Sequence, residues 1–282
     1  MSASAKYKTD ECATKYPILM VHGMGFRDRR HLNYWGRIPK KLASRGARIY
    51  YGRQDSAGSI ESNAKVVAES LLSALDHFGT EKVNIIAHSK GGLEARYIAC
   101  TMGLADRIAS ITTINTPHNG SKTVDALMKL PKPLIAAAGG ITNIWMRLLG
   151  DKAPDAGRAF LQFTTGYAEQ FNRENPTPEG VLCRSYCFKM KHALSDITMT
   201  VPYLVVKHFD GENDGLLSEA SVKWEGFGGV YTSAGGRGIS HADEVDLRRH
   251  RFTRKPPAND HEISDIADFY IARVAELKAM GL

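Results

Sequence analysis

The sequence predicts an α/β fold in which a mostly parallel central sheet is flanked by helices. From residue 16 to residue 117, short apolar segments alternate with segments whose apolar residues recur at helical spacing. This alternation is typical of parallel strands joined by crossover helices. The composition agrees, since 43% of the 282 residues are hydrophobic, 9% aromatic and 24% charged, as in ordinary globular domains.

Each strand is predicted from a short, nearly continuous apolar run, and each helix from apolar residues that share one face. Strands are expected at residues 16–21, 47–51, 82–87, 109–115, 182–189 and 203–207. Helices are expected at residues 34–45, 60–78, 92–100, 158–172 and 264–280. The helix at residues 60–78 is the longest clear amphipathic one, and Gly79 is its expected end, because glycine commonly follows the last turn of a helix.

The domain organisation follows from the same pattern. Residues 16–282 are expected to form a single domain, preceded by a polar N-terminal leader at residues 1–15. The alternation fails between about residues 120 and 180, and a helical insertion is predicted within this stretch, at about residues 122–170. The leader has no apolar stretch like that of a secretory signal, so a cytoplasmic location is the default expectation, and secretion stays open if a signal precedes this sequence.

Composition and charge exclude several classes of protein. No apolar run approaches the roughly 18 residues of a membrane-spanning helix, so no transmembrane segment is expected. The chain carries 37 basic and 30 acidic side chains, a net charge of +7, and the excess is spread along the sequence. A nucleic-acid partner is not expected, since a basic arm would concentrate that charge.

The four cysteines lack metal-binding spacing, and Cys183 and Cys187 could pair or pack as thiols.

The strongest functional signal lies at residues 87–91, with the sequence AHSKG. Ser89 follows a predicted strand and precedes a predicted helix, with the small residues Ala87 and Gly91 two positions to either side. This is the G-x-S-x-G pattern of a nucleophile elbow, with alanine in place of the first glycine. Small neighbours are needed because the serine occupies a strained turn against the adjoining strand and helix. The alternative is a serine that caps a helix, which is common.

A catalytic serine needs two partners elsewhere in the chain. Its hydroxyl becomes nucleophilic at neutral pH when an imidazole accepts its proton and a carboxylate orients that imidazole. In this fold the acid and then the histidine follow the serine in sequence. Asp214, in the sequence NDGL after a predicted strand, is the favoured acid, and Asp210 is its alternative. His241, in a glycine-rich loop, is the favoured base, and His250 and His261 are its alternatives.

An oxyanion hole needs two main-chain N–H groups directed at the negatively charged oxygen of the tetrahedral intermediate. One is expected from Lys90, the residue after the nucleophile, and the other from Met24, in the turn after the first strand. Both roles belong to the main chain, so neither side chain has to take part in the chemistry.

Eight segments, in order along the chain, carry a further signal. They are residues 16–24, 34–39, 46–47, 82–92, 116–121, 171–172, 213–216 and 241–245. Together they resemble the bacterial triacylglycerol lipases of pseudomonad type, within the α/β-hydrolase superfamily. The similarity is dense over residues 16–121 and weak between residues 122 and 200. The resemblance implies a triad of Ser89, Asp214 and His241, with oxyanion donors at Met24 and Lys90.

The resemblance also implies a mobile helical lid within residues 122–170, which would cover an apolar acyl cleft and open on a lipid surface. Relatives hold a structural calcium ion near the histidine loop. Asp243 matches one ligand position, and Asp196 is a poorly aligned second candidate. Calcium takes about six to eight oxygen ligands, so two carboxylates alone do not establish the site. No organic cofactor is implied.

The sequence therefore predicts a serine carboxylic-ester hydrolase of α/β-hydrolase fold. A triacylglycerol lipase is favoured, working through an acyl-enzyme on acyl-ester lipids with transient contact to a lipid interface. One alternative is an esterase, polyester depolymerase or thioesterase with the same triad and a different cleft and lid. The other is a hydrolase-fold protein without catalysis that binds an apolar ligand or a partner protein.

Overall fold

Seven parallel strands form the central sheet of the computed structural model, which describes residues 10–25 and 33–282. Their order across the sheet is β2-β1-β3-β4-β5-β6-β7. The strands are β1 Ile18–Val21, β2 Ile49–Tyr51, β3 Val83–His88, β4 Ile108–Ile114, β5 Leu182–Phe188, β6 Phe227–Ser233 and β7 Glu262–Ile263. Because the strands are parallel, their carboxyl ends meet at one edge, where open α/β sheets carry their functional loops.

In the described part of the chain, ten α-helices connect and cover these strands. They are α1 Ile38–Ala43, α2 Ile60–Phe78, α3 Gly91–Ala99, α4 Lys122–Leu127, α5 Lys132–Leu148, α6 Ala156–Leu161, α7 Thr165–Glu174, α8 Thr200–Asp210, α9 Glu219–Val222 and α10 Ile266–Ala279.

Helices cover both faces of the sheet. α1 and α10 pack on the face that includes Ile18 and Met20, whereas α2 and α3 pack on the face that includes Leu19 and Val21. Successive residues of a strand point to opposite faces, so β1 is buried on both sides. This double burial accounts for the continuous apolar run from which the strand was predicted.

The predicted α/β class is confirmed, and α2 spans the residues predicted for it. The Ser59 side chain accepts a hydrogen bond from the N–H of Ser62 at the start of α2. Gly79, with a φ of 60°, ends the helix in the left-handed conformation that glycine adopts without strain. Local sequence signals therefore determine both ends of this helix.

The predicted strand at residues 203–207 is wrong, because these residues belong to helix α8. Tyr203 and Val206 are buried whereas Val201 and Leu204 are exposed, which is the spacing of a helix with one buried face. A run of four apolar residues, 203–206, is too short to distinguish this spacing from that of a strand. The helix predicted at residues 158–172 is also divided, since the Thr164 side chain caps a new helix, α7.

The insertion at residues 122–170 is helical and contains α4, α5, α6 and the start of α7. None of the described helices is long and apolar enough to cross a membrane. Cys183 and Cys187 are free thiols, as are Cys12 and Cys100. The single-domain organisation stays a prediction, and residues 1–9 of the predicted leader lie outside the described residues.

Candidate active site

Ser89 lies in the tight turn between β3 and α3, as the elbow pattern predicts. Its φ is +54°, a left-handed conformation that costs a non-glycine residue about 1–3 kcal/mol and is common at functional sites. A Cβ atom on Gly91 would lie 2.5 Å from the carbonyl oxygen of Val21 and 2.6 Å from that of His22. The turn therefore packs so closely against the end of β1 that only glycine fits after Lys90.

The turn after β1 lies directly against the nucleophile. A Cβ atom on Gly23 would stand 2.6 Å from the Cβ of Ser89, so the absence of a side chain there permits the approach. The N–H of Gly25 donates to the Ser56 hydroxyl and holds the far end of the turn. Met24, between these glycines, and Lys90 thus lie on the two segments that border Ser89, and their role as oxyanion donors stays a prediction.

Asp214 and His241, predicted separately from the sequence, form a hydrogen-bonded pair. The distance from His241 Nδ1 to Asp214 Oδ2 is 2.6 Å. The second carboxylate oxygen, Oδ1, accepts the N–H groups of Leu216 and Leu217, both at 2.7 Å. The main-chain N–H of His241 donates to the carbonyl of Asp214 at 2.9 Å. The acid therefore has a fixed orientation, and its loop is bound to the histidine loop at two points.

The alternative site residues have other surroundings. The Asp210 carboxylate accepts hydrogen bonds from the hydroxyl and N–H of Thr123 at 2.7 and 2.8 Å, at the start of α4. His250 and His261 are exposed, and the His261 ring lies 5.0 Å from the ring of Tyr231. His241 is thus the one of the three candidate histidines that contacts the favoured acid.

The imidazole of His241 reaches the neighbourhood of the nucleophile. Its ring centroid lies 4.5 Å from that of His88, the residue that precedes Ser89. Among the described residues, no hydrogen bond connects the Ser89 hydroxyl to His241 Nε2. Such contacts are often long before substrate binds and shorten in the reacting complex.

Beneath the Asp214–His241 pair lies a buried polar network that the sequence did not predict. Glu244 accepts a hydrogen bond from the Asn115 amide at 2.8 Å, and its other oxygen lies 2.8 Å from His88 Nε2. The Asn115 amide also donates to Asp214. The network continues through His88 Nδ1 to the hydroxyl of Tyr34, at 2.7 Å.

The pKa values of the groups in this network are shifted in different directions. Burial and the charge of Asp214 raise the pKa of Glu244 well above its usual range. Burial, reinforced by the positive charge that His241 can carry, lowers the pKa of His88 well below its usual range. Burial opposes ionisation of Asp214, but the charge and hydrogen bond of His241 outweigh it and lower the pKa of this carboxyl. Asp214 is therefore the carboxyl that ionises first, and Glu244 keeps its proton to higher pH.

Asp196 and Asp243, the two predicted calcium ligands, are neighbours in the structure. Both lie within hydrogen-bond distance of the Ser240 hydroxyl, at 2.7 and 2.9 Å. A different group, His88, His241 and Glu244, also has donor atoms within 4.8 Å of one another. Its histidine nitrogens are hydrogen-bonded to carboxylates of the same network, so this group is already part of the serine site.

Comparison with known proteins agrees with the α/β fold. The α/β-hydrolase-fold family matches residues 16–179. Triacylglycerol lipases from Pseudarthrobacter phenanthrenivorans and Burkholderia plantarii are each 32% identical in an alignment 181 residues long, which covers 58% of this chain. That match covers 55% and 49% of the two lipases, so the chain spans about half the length of these relatives. Triacylglycerol lipase 2 of Saccharomyces cerevisiae is 28% identical over 262 residues, covering 89% of this chain and 74% of the yeast protein.

Solved structures share the fold at lower identity. A metagenomic carboxyl esterase superposes with a TM-score of 0.67 at 18% identity, covering 98% of this chain and 79% of its own. The mature lipase BlEst2 of Bacillus licheniformis gives 0.61, also at 18%, covering 84% and 88%. The matched family, the parallel sheet and the serine turn at the end of β3 lead to one conclusion: the chain belongs to the α/β-hydrolase-fold family.

Proposed function

We propose that this protein is a serine carboxylic-ester hydrolase that acts on acyl esters of lipids, with triacylglycerols as the favoured substrates. The observation that carries the proposal is the Asp214–His241 pair, 2.6 Å apart, beside the strained turn of Ser89. A buried carboxylate that holds an imidazole next to a partly exposed nucleophilic serine is the arrangement that acyl transfer requires. The sequence similarity to bacterial triacylglycerol lipases supports the same substrate class.

In the proposed mechanism, His241 Nε2 accepts the hydroxyl proton of Ser89 while the serine oxygen attacks the ester carbonyl carbon. Asp214 fixes the proton of His241 on Nδ1 and stabilises the imidazolium that forms. The main-chain N–H groups of Met24 and Lys90 bind the oxyanion of the tetrahedral intermediate. His241 then donates its proton to the leaving alcohol, and a water molecule, deprotonated by His241, releases the fatty acid and regenerates Ser89.

The surroundings of the site support an apolar substrate. Met146 of α5 packs with Ala57 beside Met24, so this helix lies next to the oxyanion turn. Beyond this contact, the exposed side chains of α5 are largely apolar: Leu134, Ile141, Ile144, Trp145 and Leu148. Groups of exposed apolar side chains on one helix commonly mark an interaction surface. We infer that α5 is the lid and that it moves aside at a lipid surface.

A second apolar surface borders the acid loop. A Cβ atom on Gly215, next to Asp214, would lie 3.0 Å from the Cβ of Met199, just before α8. Ile197 and Val201, around the start of this helix, are exposed. Apolar side chains therefore border the site on the α5 side and on the α8 side, as an acyl chain or a lipid interface would require.

The test of the triad is kinetic and covalent. Ser89→Ala and His241→Ala should each lower kcat on a soluble short-chain ester by at least about 10³-fold while leaving the circular-dichroism spectrum unchanged. His261→Ala is the matched control, because that histidine is exposed and its ring packs against Tyr231, and it should keep wild-type kcat. A serine-directed fluorophosphonate should label wild type and not Ser89→Ala. Labelling that persists in Ser89→Ala, or a folded wild type that takes no label, would refute the proposal.

The substrate class needs a separate comparison. Hydrolysis rates should be measured on short soluble esters, emulsified triacylglycerols of increasing chain length and polyester film. A lipase should gain rate when the substrate forms an interface. Equal or faster turnover of the polyester or of soluble esters would assign the same triad to a depolymerase or an esterase instead.

A further inference from the structure

The loop that carries His241 is anchored by two buried carboxylates. Asp196 and Asp243 are 2% and 1% exposed, and the Ser240 hydroxyl lies between them. Asp243 begins the short 3-10 turn just after His241, and Asp196 lies in the segment that leads into α8. Two negative charges are thus buried a few residues from the proposed catalytic base, and such charges are costly unless they are paired.

Two arginines supply the pairing. Arg237 Nη2 lies 2.6 Å from Asp243 Oδ2, and Arg237 Nε donates to the carbonyl of Ser195 at 2.6 Å. Arg248 spans both carboxylates, with Nη2 2.9 Å from Asp196 Oδ2 and Nε 3.4 Å from Asp243 Oδ1. Two guanidinium groups therefore bring two positive charges to two carboxylates, which is the charge that one calcium ion would bring.

The remaining carboxylate oxygen is also bound. Asp196 Oδ1 accepts hydrogen bonds from the N–H and hydroxyl of Thr198, at 3.1 and 2.7 Å. Burial opposes ionisation of Asp196, but hydrogen bonds from Ser240 and Thr198 and the charge of Arg248 lower its pKa below the usual range. All four oxygens of the two carboxylates thus face a donor of this chain.

This arrangement does not fit calcium. The ion takes about six to eight oxygen ligands at about 2.3–2.6 Å, and it would have to replace the arginine contacts of Asp196 and Asp243 while the guanidinium charges stayed nearby. Like charges at such distances repel strongly where water is excluded. The two predicted ligand residues are therefore together, but the positive charge they need is already provided by the chain.

We propose that Arg237 and Arg248 replace the structural calcium of the lipases that this chain resembles. The two side chains neutralise Asp196 and Asp243 and hold the loop that positions His241, so that the fold needs no metal there. The arginines are positioning residues and do not touch the ester. This inference does not depend on the proposed hydrolase activity, because it concerns the anchoring of a loop.

The first test measures the wild-type chain. Its melting temperature should change by less than about 1 °C between buffer with EGTA and buffer with millimolar CaCl2, since the site offers the ion no gain. Titration of the EGTA-treated protein with CaCl2 in a calorimeter should give no specific binding heat. A melting temperature that falls with EGTA and recovers with calcium would overturn the proposal, whatever the activity.

The second test removes one arginine. Arg248→Gln should lower the melting temperature by about 5 °C or more, because it leaves Asp196 buried without its cation. Arg184→Gln is the matched control, since Arg184 is also partly exposed and pairs with Glu276 at 2.7 Å on the surface of α10. It should lose about 2 °C or less. Equal losses in the two variants would also overturn the proposal.

The variants offer one further discrimination. Calcium should recover part of the stability of Arg248→Gln and none of that of Arg184→Gln, because only the first variant frees carboxylate oxygens. If Arg248→Gln does not fold, Arg248→Lys keeps the charge and loses the planar two-sided contact, so it should fold with a smaller loss. An Arg248→Lys protein as stable as wild type would show that the guanidinium contact is not needed.

Discussion

α2 and α5 are both long helices with an apolar face, and they use that face in opposite ways. In α2, Ile60, Val67 and Leu71 are fully buried against the sheet and α3. In α5, Trp145 and Leu148 are 58% and 74% exposed, although this helix has fewer charged residues. The apolar face of α2 therefore stabilises the fold, whereas that of α5 is available to an apolar partner.

The difference comes from what each helix packs against. α2 connects β2 to β3 along the chain and packs on a face of the sheet that is itself apolar. Gly139 and Met146 are the buried residues of α5, and Gly139 lies against Gly157 of α6. Within the described residues, a helix with so few buried side chains can move at a modest cost in free energy, which is what a lid requires.

The largest test of this comparison is a matched pair of leucine substitutions. Leu71→Ala should lower the free energy of unfolding by about 3 kcal/mol, because it removes a fully buried side chain and leaves a cavity. Leu148→Ala, the same chemical change on α5, should cost less than about 0.5 kcal/mol. Urea denaturation of both variants measures the two values. Similar losses would mean that α5 is part of the core and not a separate cover.

The same contrast explains how much the sequence could predict. The bounds of α2 were predicted from its apolar spacing and from Gly79, and the Ser59 cap lies at the predicted start. The exposure of the apolar face of α5 could not be predicted from its spacing, because an apolar face has the same spacing whether it packs on a sheet or faces water.

The residues of the site likewise divide into those that could be predicted from the sequence and those that could not. Ser89, Asp214 and His241 were ranked from motifs and chain order, and Asp214 and His241 meet as ranked. Glu244 was missed as a member of the site, because its contacts with His88 and Asn115 join residues 156 and 129 positions apart. The signal available was its place three residues after His241, which is one turn of helix and brings the two side chains together. Arg237 and Arg248 carry no motif, and tertiary proximity alone reveals their role.

A smaller effect on stability is expected from proton binding by buried side chains. The pKa values of His88 and His118 are lowered by burial, so the folded chain keeps both neutral while the unfolded chain binds protons below about pH 6.5. Stability should therefore fall as the pH falls from 7.5 to 5.5, by up to about 1.4 kcal/mol per unit for each histidine. Glu244 has the opposite effect on stability. Because its pKa is raised in the folded chain, the folded chain binds a proton there at a pH at which the unfolded chain does not, and this stabilises the fold as the pH falls.

The variant Glu244→Gln separates these contributions. It removes the proton uptake that partly offsets the two histidines, so its stability should fall more steeply with acid than that of wild type. Thermal unfolding at pH steps between 7.5 and 5.5 gives both slopes. Equal slopes would show that Glu244 does not hold its proton in the folded protein over this range.

The smallest effect on stability is expected from substitutions on the exposed face of α5, which should lower the rate on emulsified substrate and not the rate on a soluble ester. Ile144→Ser with Leu148→Ser on α5 should change the free energy of unfolding by less than about 1 kcal/mol, because both side chains are mostly exposed. Hydrolysis of emulsified triacylglycerol should fall about tenfold, as apolar area that would contact the lipid is lost. The rate on a soluble short ester should stay within about twofold. Leu72→Ser is the control, since Leu72 is half-exposed on α2, whose apolar face is committed to the core. If Leu72→Ser lowered the emulsion rate as much, the exposed face of α5 would have no special role, and the contrast between the two helices would be one of packing alone.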